Sequence, residues 1–134
     1  PSHPDTNYDY GLSLCNDKKF EEALIYINKA IEMDPANKDR FEGFLPLLFM
    51  AMRDLENSLK WLLLMNEQSA HSRYLGWLSC TYAHLDEMEK AKEYLEQFLQ
   101  ERPEIKTLTD YRSVAPAIAE EFIVEGLRKA GMPE

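Results

Sequence analysis

The feature that most constrains the fold is a pair of matching segments separated by a fixed interval. A motif around Ala23 is repeated around Ala91, and the proline that follows the first copy, Pro35, has its counterpart at Pro103. Both intervals are 68 residues, which is two periods of 34. A fixed period of about 20 to 50 residues is typical of stacked repeats, and about 34 is the length of one helix–turn–helix unit. The chain is therefore predicted to be an all-α superhelix.

Small residues mark where two helices of each hairpin come close together. Ala23, Ser58 and Ala91 are followed by larger apolar residues at helical spacing, which continue the same face. Gly11 and Ser79 are the matching small residues in the first helices of the outer hairpins. This pattern predicts an antiparallel hairpin of a first helix (A) and a second helix (B) in each repeat.

The middle repeat is degenerate. Leu55–Leu59 fits the motif after one extra residue, and Ala70 stands where the other repeats have proline. The A and B helices are predicted at about 5–16 and 19–33, 38–52 and 54–67, and 71–84 and 87–101. Asp17 and Asp86 are predicted to be the N-caps of B helices.

The predicted single domain spans 1–134, with repeats at about 5–35, 38–70 and 71–103 and a different pattern in 104–134. Residues 106–115 are predicted to form a loop or one irregular turn. Pro116 then begins a helix over 117–130, which ends at Gly131. Because a solenoid must cover its last apolar face, this helix is predicted to be the cap.

The charge balance narrows the classes of partner. Lys and Arg total 15 against 24 Asp and Glu, a net charge of -9, which disfavours binding to nucleic acid and to an anionic membrane surface. No apolar run approaches the ~20 residues needed to span a bilayer. Two widely spaced cysteines suit a reducing compartment, so a cytoplasmic location is expected. The chain begins with Pro1, and we expect it to be a fragment of a longer protein.

The repeat resembles the tetratricopeptide repeat (TPR) superfamily over about residues 5–103. The tail, with Asp110-Tyr111-Arg112 followed by EGLRKAGMPE at 125–134, resembles the end of certain bacterial multidomain proteins. In those proteins a class III adenylate/guanylate cyclase domain or a winged-helix regulator domain precedes C-terminal TPRs. The resemblance implies a bacterial regulatory or signalling protein.

The resemblance further implies a binding surface on the concave side, lined by the A helices, for an extended peptide or a helix. The residues expected there as partner-binding side chains are Tyr8, Leu12, Arg40, Phe44, Leu47, Arg73, Trp77 and His84. Cys15, Asn16, Gly43, Met50, Gly76 and Cys80 complete the same stripe. Arg40-x-x-Gly43 and Arg73-x-x-Gly76 are 33 residues apart and are expected to occupy equivalent places. Such a groove suits an acidic segment, although arginines paired with surface carboxylates and glycines that relieve packing are the alternative interpretation.

Catalytic and metal-binding patterns are not apparent in the sequence. The histidines and cysteines do not form the close pairs that hold a metal, and we predict no cofactor. His84 is expected to interact with carbonyl groups at a helix end. The chain is therefore predicted not to be an enzyme.

Three functions remain open from the sequence. The first is an interaction module for a protein or peptide segment, which could belong to the parent protein's own N-terminal domain. The second is a scaffold for self-association, and the third is a regulatory segment of a nucleotide cyclase.

Overall fold

A computed structural model describes residues 3–134, and every regular element among them is helical. The α-helices are α1 (Pro4–Asn16), α2 (Phe20–Met33), α3 (Asp39–Glu42), α4 (Leu45–Ala51), α5 (Leu55–Gln68), α6 (Ser72–His84), α7 (Met88–Glu101), α8 (Leu108–Arg112) and α9 (Glu120–Ala130). Short 3-10 turns cover Pro35–Asn37 and Ala117–Ala119. The predicted all-α solenoid of three hairpins with a C-terminal helix is confirmed.

The small residues lie inside the outer hairpins, as predicted. A Cβ on Gly11 of α1 would lie 2.9 Å from the Ile27 side chain and 3.2 Å from the Ala23 carbonyl oxygen of α2. In the third hairpin the Ser79 hydroxyl donates to the Ala91 carbonyl at 2.7 Å. Both contacts need a short side chain on the A helix, because the backbone of the B helix is the neighbour.

All three hairpins turn in the same way, which shows that the degenerate middle repeat keeps the repeat's geometry. Lys18, Arg53 and Asp86 each have a positive φ of about 60° (60°, 59° and 62°). In each turn the next residue's N–H bonds to a carbonyl five positions back, as in Lys19 N to Leu14 O at 2.9 Å. This is the Schellman ending of the preceding helix.

That ending corrects the predicted N-caps. Asp17 closes α1 and Asp86 is the left-handed turn residue, so neither caps the following helix. The residues before α2 and α7 are Lys19 and Glu87, whose side chains make no cap hydrogen bond. Only the middle hairpin has a side-chain cap here, where Asp54 accepts from Asn57 N at 3.2 Å.

The second A helix is divided, where one helix over 38–52 was predicted. Its two parts, α3 and α4, are separated at Gly43–Phe44, although both residues keep right-handed helical dihedral angles. Pro46 explains the division, because it has no N–H to donate to Glu42 and its ring crowds that carbonyl. The buried Pro46 thus turns the A helix without ending it.

The segment predicted as a loop or irregular turn contains the short helix α8. Thr107 and Asp110 form a reciprocal capping box at its start, in which each side chain accepts from the other's backbone N–H. The C-terminal helix α9 is preceded by one 3-10 turn, and Gly131 ends it with a φ of 112°, as predicted.

The sequence predicts that the last helix is a cap, and the structure shows which helices it covers. It packs chiefly on α6, the third A helix, and makes smaller contacts with α7 and α4. The 3-10 turn before it lies on α4, where Ile118 touches both of the hydrophobic core clusters. The segment 108–130 therefore lies across the second and third A helices.

Candidate partner-binding face

The predicted site residues of the third hairpin lie under the C-terminal segment. Trp77 is 6% exposed, and its indole Nε1 donates to the Tyr111 hydroxyl oxygen at 3.1 Å. His84 lies 2.7 Å (Nε2 to oxygen) from the Phe122 carbonyl and stacks on the Phe122 ring at 4.2 Å. His84 was expected to meet carbonyls at a helix end, and its partner is instead a carbonyl in the first turn of α9, across the helix interface.

Cys80 of α6 packs directly against Gly126 of α9. A Cβ on Gly126 would lie 2.5 Å from the Cys80 Cβ and 2.6 Å from its carbonyl oxygen. Burial raises the pKa of the Cys80 thiol well above its usual range. This thiol is therefore protonated and shielded, which fits a packing role.

The first and second hairpins bring Tyr8, Leu12 and Phe44 to the same side of the molecule. Tyr8 is partly buried, with its ring centroid 5.2 Å from that of Phe41 and 6.5 Å, edge-on, from that of Phe44. Burial, and secondly Asp9 and Cys15, raise the pKa of the Tyr8 hydroxyl. Leu12 is also partly buried. These side chains are anchored by packing and keep part of their surface exposed.

Leu47 and Met50 of α4 face inward. Leu47 is partly buried against the larger core cluster, and Met50 belongs to that cluster. The A-helix face of the second hairpin is thus mostly engaged in the core.

The two predicted Arg-x-x-Gly elements are not equivalent in the structure. Arg40 pairs with Asp5 at 3.0 Å and lies 3.7 Å from Asp34, whereas Arg73 has no carboxylate within 4.0 Å among the described residues. A Cβ on Gly76 would meet the Phe98 ring at 3.3 Å, while Gly43 lies exposed at the break between α3 and α4. The second A helix is divided and the third is continuous, so the two elements lie in different local surroundings.

Arg73 and Trp77 are brought together at a half-open cavity of about 310 Å³. The guanidinium of Arg73 lies over the Tyr74 ring at 5.0 Å and donates to the Tyr74 hydroxyl at 3.2 Å. The cavity is lined by His71, Arg73, Trp77, Phe98, Arg102, Ile105, Tyr111, Val114 and Pro116. None of these residues is acidic.

Arg73 and Trp77, on one wall of this cavity, were predicted from the sequence, and the residues of the other wall were not. Tyr111, Val114 and Pro116 come from the segment after the repeats, and no local pattern says which helix that segment meets. The sequence held one signal of this wall: Val114 is a β-branched apolar residue that fits no helical periodicity. Its side chain is 53% exposed in the structure.

Two smaller cavities, of about 260 and 190 Å³, lie beyond the same segment at the turn between α1 and α2. Lys18, Phe20 and Ile118 line both of them. The stretch from Val114 to Ile118 thus crosses the A-helix face with open space on either side. The predicted A-helix face is therefore covered at its centre by the C-terminal segment and open at the cavities on either side of residues 114–118.

Residues 3–134 lack two features of other classes of protein, a metal-binding cluster and a membrane-spanning helix. No group of three or more His, Cys, Asp or Glu side chains in this range could hold a metal ion. No helix there is both long and apolar enough to cross a membrane.

The fold and its turns agree with the comparison to known families. A family profile described as tetratricopeptide repeat matches residues 4–37 and 72–105, which are the first and third hairpins and together make up half of the chain. No curated protein and no solved structure matched the chain. The chain therefore belongs to the tetratricopeptide repeat family.

Proposed function

We propose that the chain is a non-catalytic interaction module that binds a polypeptide segment along its A-helix face. Tetratricopeptide repeats generally mediate protein–protein interaction, and the family is typically not catalytic. The observation that carries the proposal is that this face already holds a polypeptide segment, the chain's own residues 108–130. Trp77 with Tyr111 and His84 with Phe122 are two of the polar and aromatic contacts that hold it.

The partner proposed is an acidic segment, and the setting is regulatory. Arg73 is a cation on this face without a carboxylate partner among the described residues, and it suits a negatively charged side chain. The tail resemblance supports a bacterial signalling protein in the cytoplasm, in which the bound segment could come from an N-terminal cyclase or winged-helix domain. We propose no cofactor, nucleic acid or membrane as a partner.

The proposal is tested by selecting binders from a displayed random-peptide library with the purified chain. Selected peptides are expected to lose at least about tenfold in affinity to a chain carrying Arg73→Glu, because the substitution reverses the charge at the face. Arg128→Glu, on the outer surface of α9, is the matched control and should bind like the unaltered chain. Failure to select any peptide contradicts the proposed function, and equal binding by the Arg73 variant contradicts the acidic character proposed for the partner.

Self-association is the second candidate function, and exposed apolar side chains on the first hairpin favour it. Tyr10 is 45% exposed and Ile25 is 54% exposed. Multi-angle light scattering at rising concentration tests it, with Ile25→Lys as the variant that should shift a dimer toward the monomer. A monomer at every concentration excludes this function.

A further inference from the structure

We infer that the cavity at Arg73 is a subsite for an acidic residue adjacent to an apolar residue on the bound segment. The inference rests on the proposed function and specifies the partner's chemistry and position. It also makes the C-terminal segment a wall of the binding site rather than only a cap.

The charge pattern of the arginines points to an anion. The sequence has six arginines, and five of them lie within 4.0 Å of a carboxylate. The paired arginines and their partners are Arg40 with Asp5, Arg53 with Glu125, Arg102 with Glu104, Arg112 with Glu120, and Arg128 with Glu134. Arg73 alone has no such partner among the described residues, although the chain carries nine more acidic than basic groups. An exposed guanidinium oriented by Tyr74 is a ready donor for a planar carboxylate.

The cavity beside this guanidinium is built to hold an apolar group. Its walls include the rings of Trp77, Phe98 and Tyr111, and Ile105 and Val114 add aliphatic surface. A volume of about 310 Å³ is at the small end of ligand pockets, which suits a single large side chain better than a larger ligand. The charge and the apolar space together therefore suit an apolar residue with a carboxylate beside it.

A second cation lies at the rim. Arg102 lines the cavity, and its Nε donates to Glu104 at 2.6 Å. His71 also lines the cavity, and no acidic residue among its lining residues opposes an incoming carboxylate. Because Glu104 already pairs with Arg102, Arg73 is the lining arginine that remains for an incoming carboxylate among the described residues.

The cavity depends on the docked tail. Tyr111 holds its place through the hydrogen bond from Trp77, and Val114 and Pro116 form the outer wall. A partner segment would therefore lie between α6 and residues 111–116, in contact with both. This arrangement places the occupant beside the tail and requires no displacement of it.

The experiment uses the full chain labelled with ¹⁵N and two matched sets of acetylated, amidated hexapeptides. One set carries leucine, phenylalanine or tryptophan with a neighbouring aspartate on either side, and the other set replaces aspartate with asparagine. The readout is the indole N–H signal of Trp77, with that of Trp61 as an internal reference. At least one aspartate peptide is expected to shift the Trp77 signal and to bind about tenfold more tightly than its asparagine partner, as one charge-assisted contact predicts.

Two variants test the assignment to Arg73. Arg73→Gln should remove the preference for aspartate, while Arg128→Gln should keep it. The inference is overturned if both peptide sets bind equally, if the shifts fall on Tyr8 and Phe44 instead, or if free N-acetyl-phenylalanine binds more tightly than every peptide. If the shifts fall on Tyr8 and Phe44, a polypeptide still binds the A-helix face and the proposed function stands. If the library peptides also fail to bind, the proposed function and this inference fail together.

Discussion

Gly126 shows at the scale of one residue how the tail is held on the repeats. The position lies in α9 where its backbone meets that of α6, and a Cβ there would lie 2.6 Å from the Cys80 carbonyl oxygen and 2.7 Å from its Cα. Backbone atoms of a packed helix cannot move aside cheaply, so any larger residue pushes the two helices apart. A glycine in the middle of a helix is usually unfavourable, and here the close approach compensates for it.

We expect Gly126→Ala to lower the free energy of unfolding by about 1–2 kcal/mol. Overpacking costs roughly 1–3 kcal/mol, and the better helix propensity of alanine returns no more than about 1 kcal/mol. Urea denaturation followed by circular dichroism measures the change. The control is Gly43→Ala, because Gly43 has helical dihedral angles and only one atom near its Cβ position, the Asp39 carbonyl oxygen at 3.7 Å. That variant should be more stable by about 0.4–1 kcal/mol.

The hydrogen bond between Trp77 and Tyr111 leads to a second prediction at this scale. Tyr111→Phe keeps the ring but removes the acceptor, which leaves the buried indole N–H without a partner. The expected loss is about 1–3 kcal/mol of unfolding free energy. Denaturation followed by tryptophan fluorescence measures it, and Tyr10→Phe, on an exposed ring, should change little. A loss no larger than that of the Tyr10 variant would show that the indole finds another acceptor.

At the scale of the elements, the three hairpin turns store a small and repeated conformational cost. A residue with a side chain at a φ near 60° is disfavoured by roughly 1 kcal/mol, and each hairpin has one. Arg53 and Asp86 also form ion pairs with α9, through Glu125 and Lys129. Lys18 makes neither a described ion pair nor a hydrogen bond through its side chain, so it is the cleanest place to test the cost.

We expect Lys18→Gly to raise the free energy of unfolding by about 0.5–1 kcal/mol, because glycine adopts a positive φ freely. The neighbouring Lys19 is the matched control, since its φ of -93° is ordinary for any residue. Lys19→Gly should lower stability by about 0.5–1 kcal/mol through the entropy of the unfolded chain. Equal effects of the two substitutions would mean that backbone strain in this turn is negligible.

The elements also show which features the sequence can predict. The 34-residue period, Gly11 and Gly131 are local signals, and each led to the correct element. Pro46 is equally visible in the sequence. The repeat period predicts one continuous helix there, and the missing N–H and crowded ring of the internal proline override it. The Thr107-x-x-Asp110 capping box was a further local signal for α8. The left-handed turns were harder to predict, because aspartate is favoured both at an N-cap and in a turn, and Asp17 and Asp86 fit either role by residue type.

The candidate site also has one part that the sequence predicts and one part that only the structure shows. Arg73 and Trp77 follow from their place in the A helix, and the structure sets them at one cavity. Tyr111 and Val114 complete that cavity through contacts that span more than 30 residues. The amphipathic pattern of α9 predicts that the helix buries one face, but it does not predict which helix that face contacts. The covered centre of the A-helix face therefore required the three-dimensional structure.

At the scale of the whole molecule, the tail joins the hairpins into one body. Arg53 of the second hairpin pairs with Glu125 at 3.0 Å, and Asp86 of the third pairs with Lys129. Ile118 packs against both core clusters, one made of residues from the first and second hairpins and the other of residues from the second hairpin onward. A repeat array contacts only its sequence neighbours, and the tail adds the long-range contacts that such an array lacks.

The two cysteines report on the docking of α9, because Cys80 lies under that helix, whereas Cys15 lines a cavity beside residues 117 and 118. Cys80 is fully buried against Gly126, whereas Cys15 lies in the first hairpin, and burial raises its pKa to about 11. Alkylation by iodoacetamide at pH 8, with each site followed by mass spectrometry, should label Cys80 more slowly than Cys15. Glu125→Lys weakens one exposed ion pair that holds α9, and we expect it to speed the labelling of Cys80 by about two- to fivefold, as a surface pair worth up to ~1 kcal/mol allows, without changing that of Cys15.

The pH dependence of the same reaction separates a raised pKa from simple shielding. A folded-state pKa raised from 9.0 to about 11 means that the Cys15 thiol stays neutral, and stabilises the folded chain, until the pH rises through that window. Its alkylation rate should therefore grow about tenfold per pH unit up to about pH 11, because only the thiolate reacts. A rate that levels off near pH 9 would contradict the raised pKa. Cys80 should remain slower throughout while α9 is docked, and equal rates at the two sites in the unaltered chain would show that the tail does not cover the A-helix face.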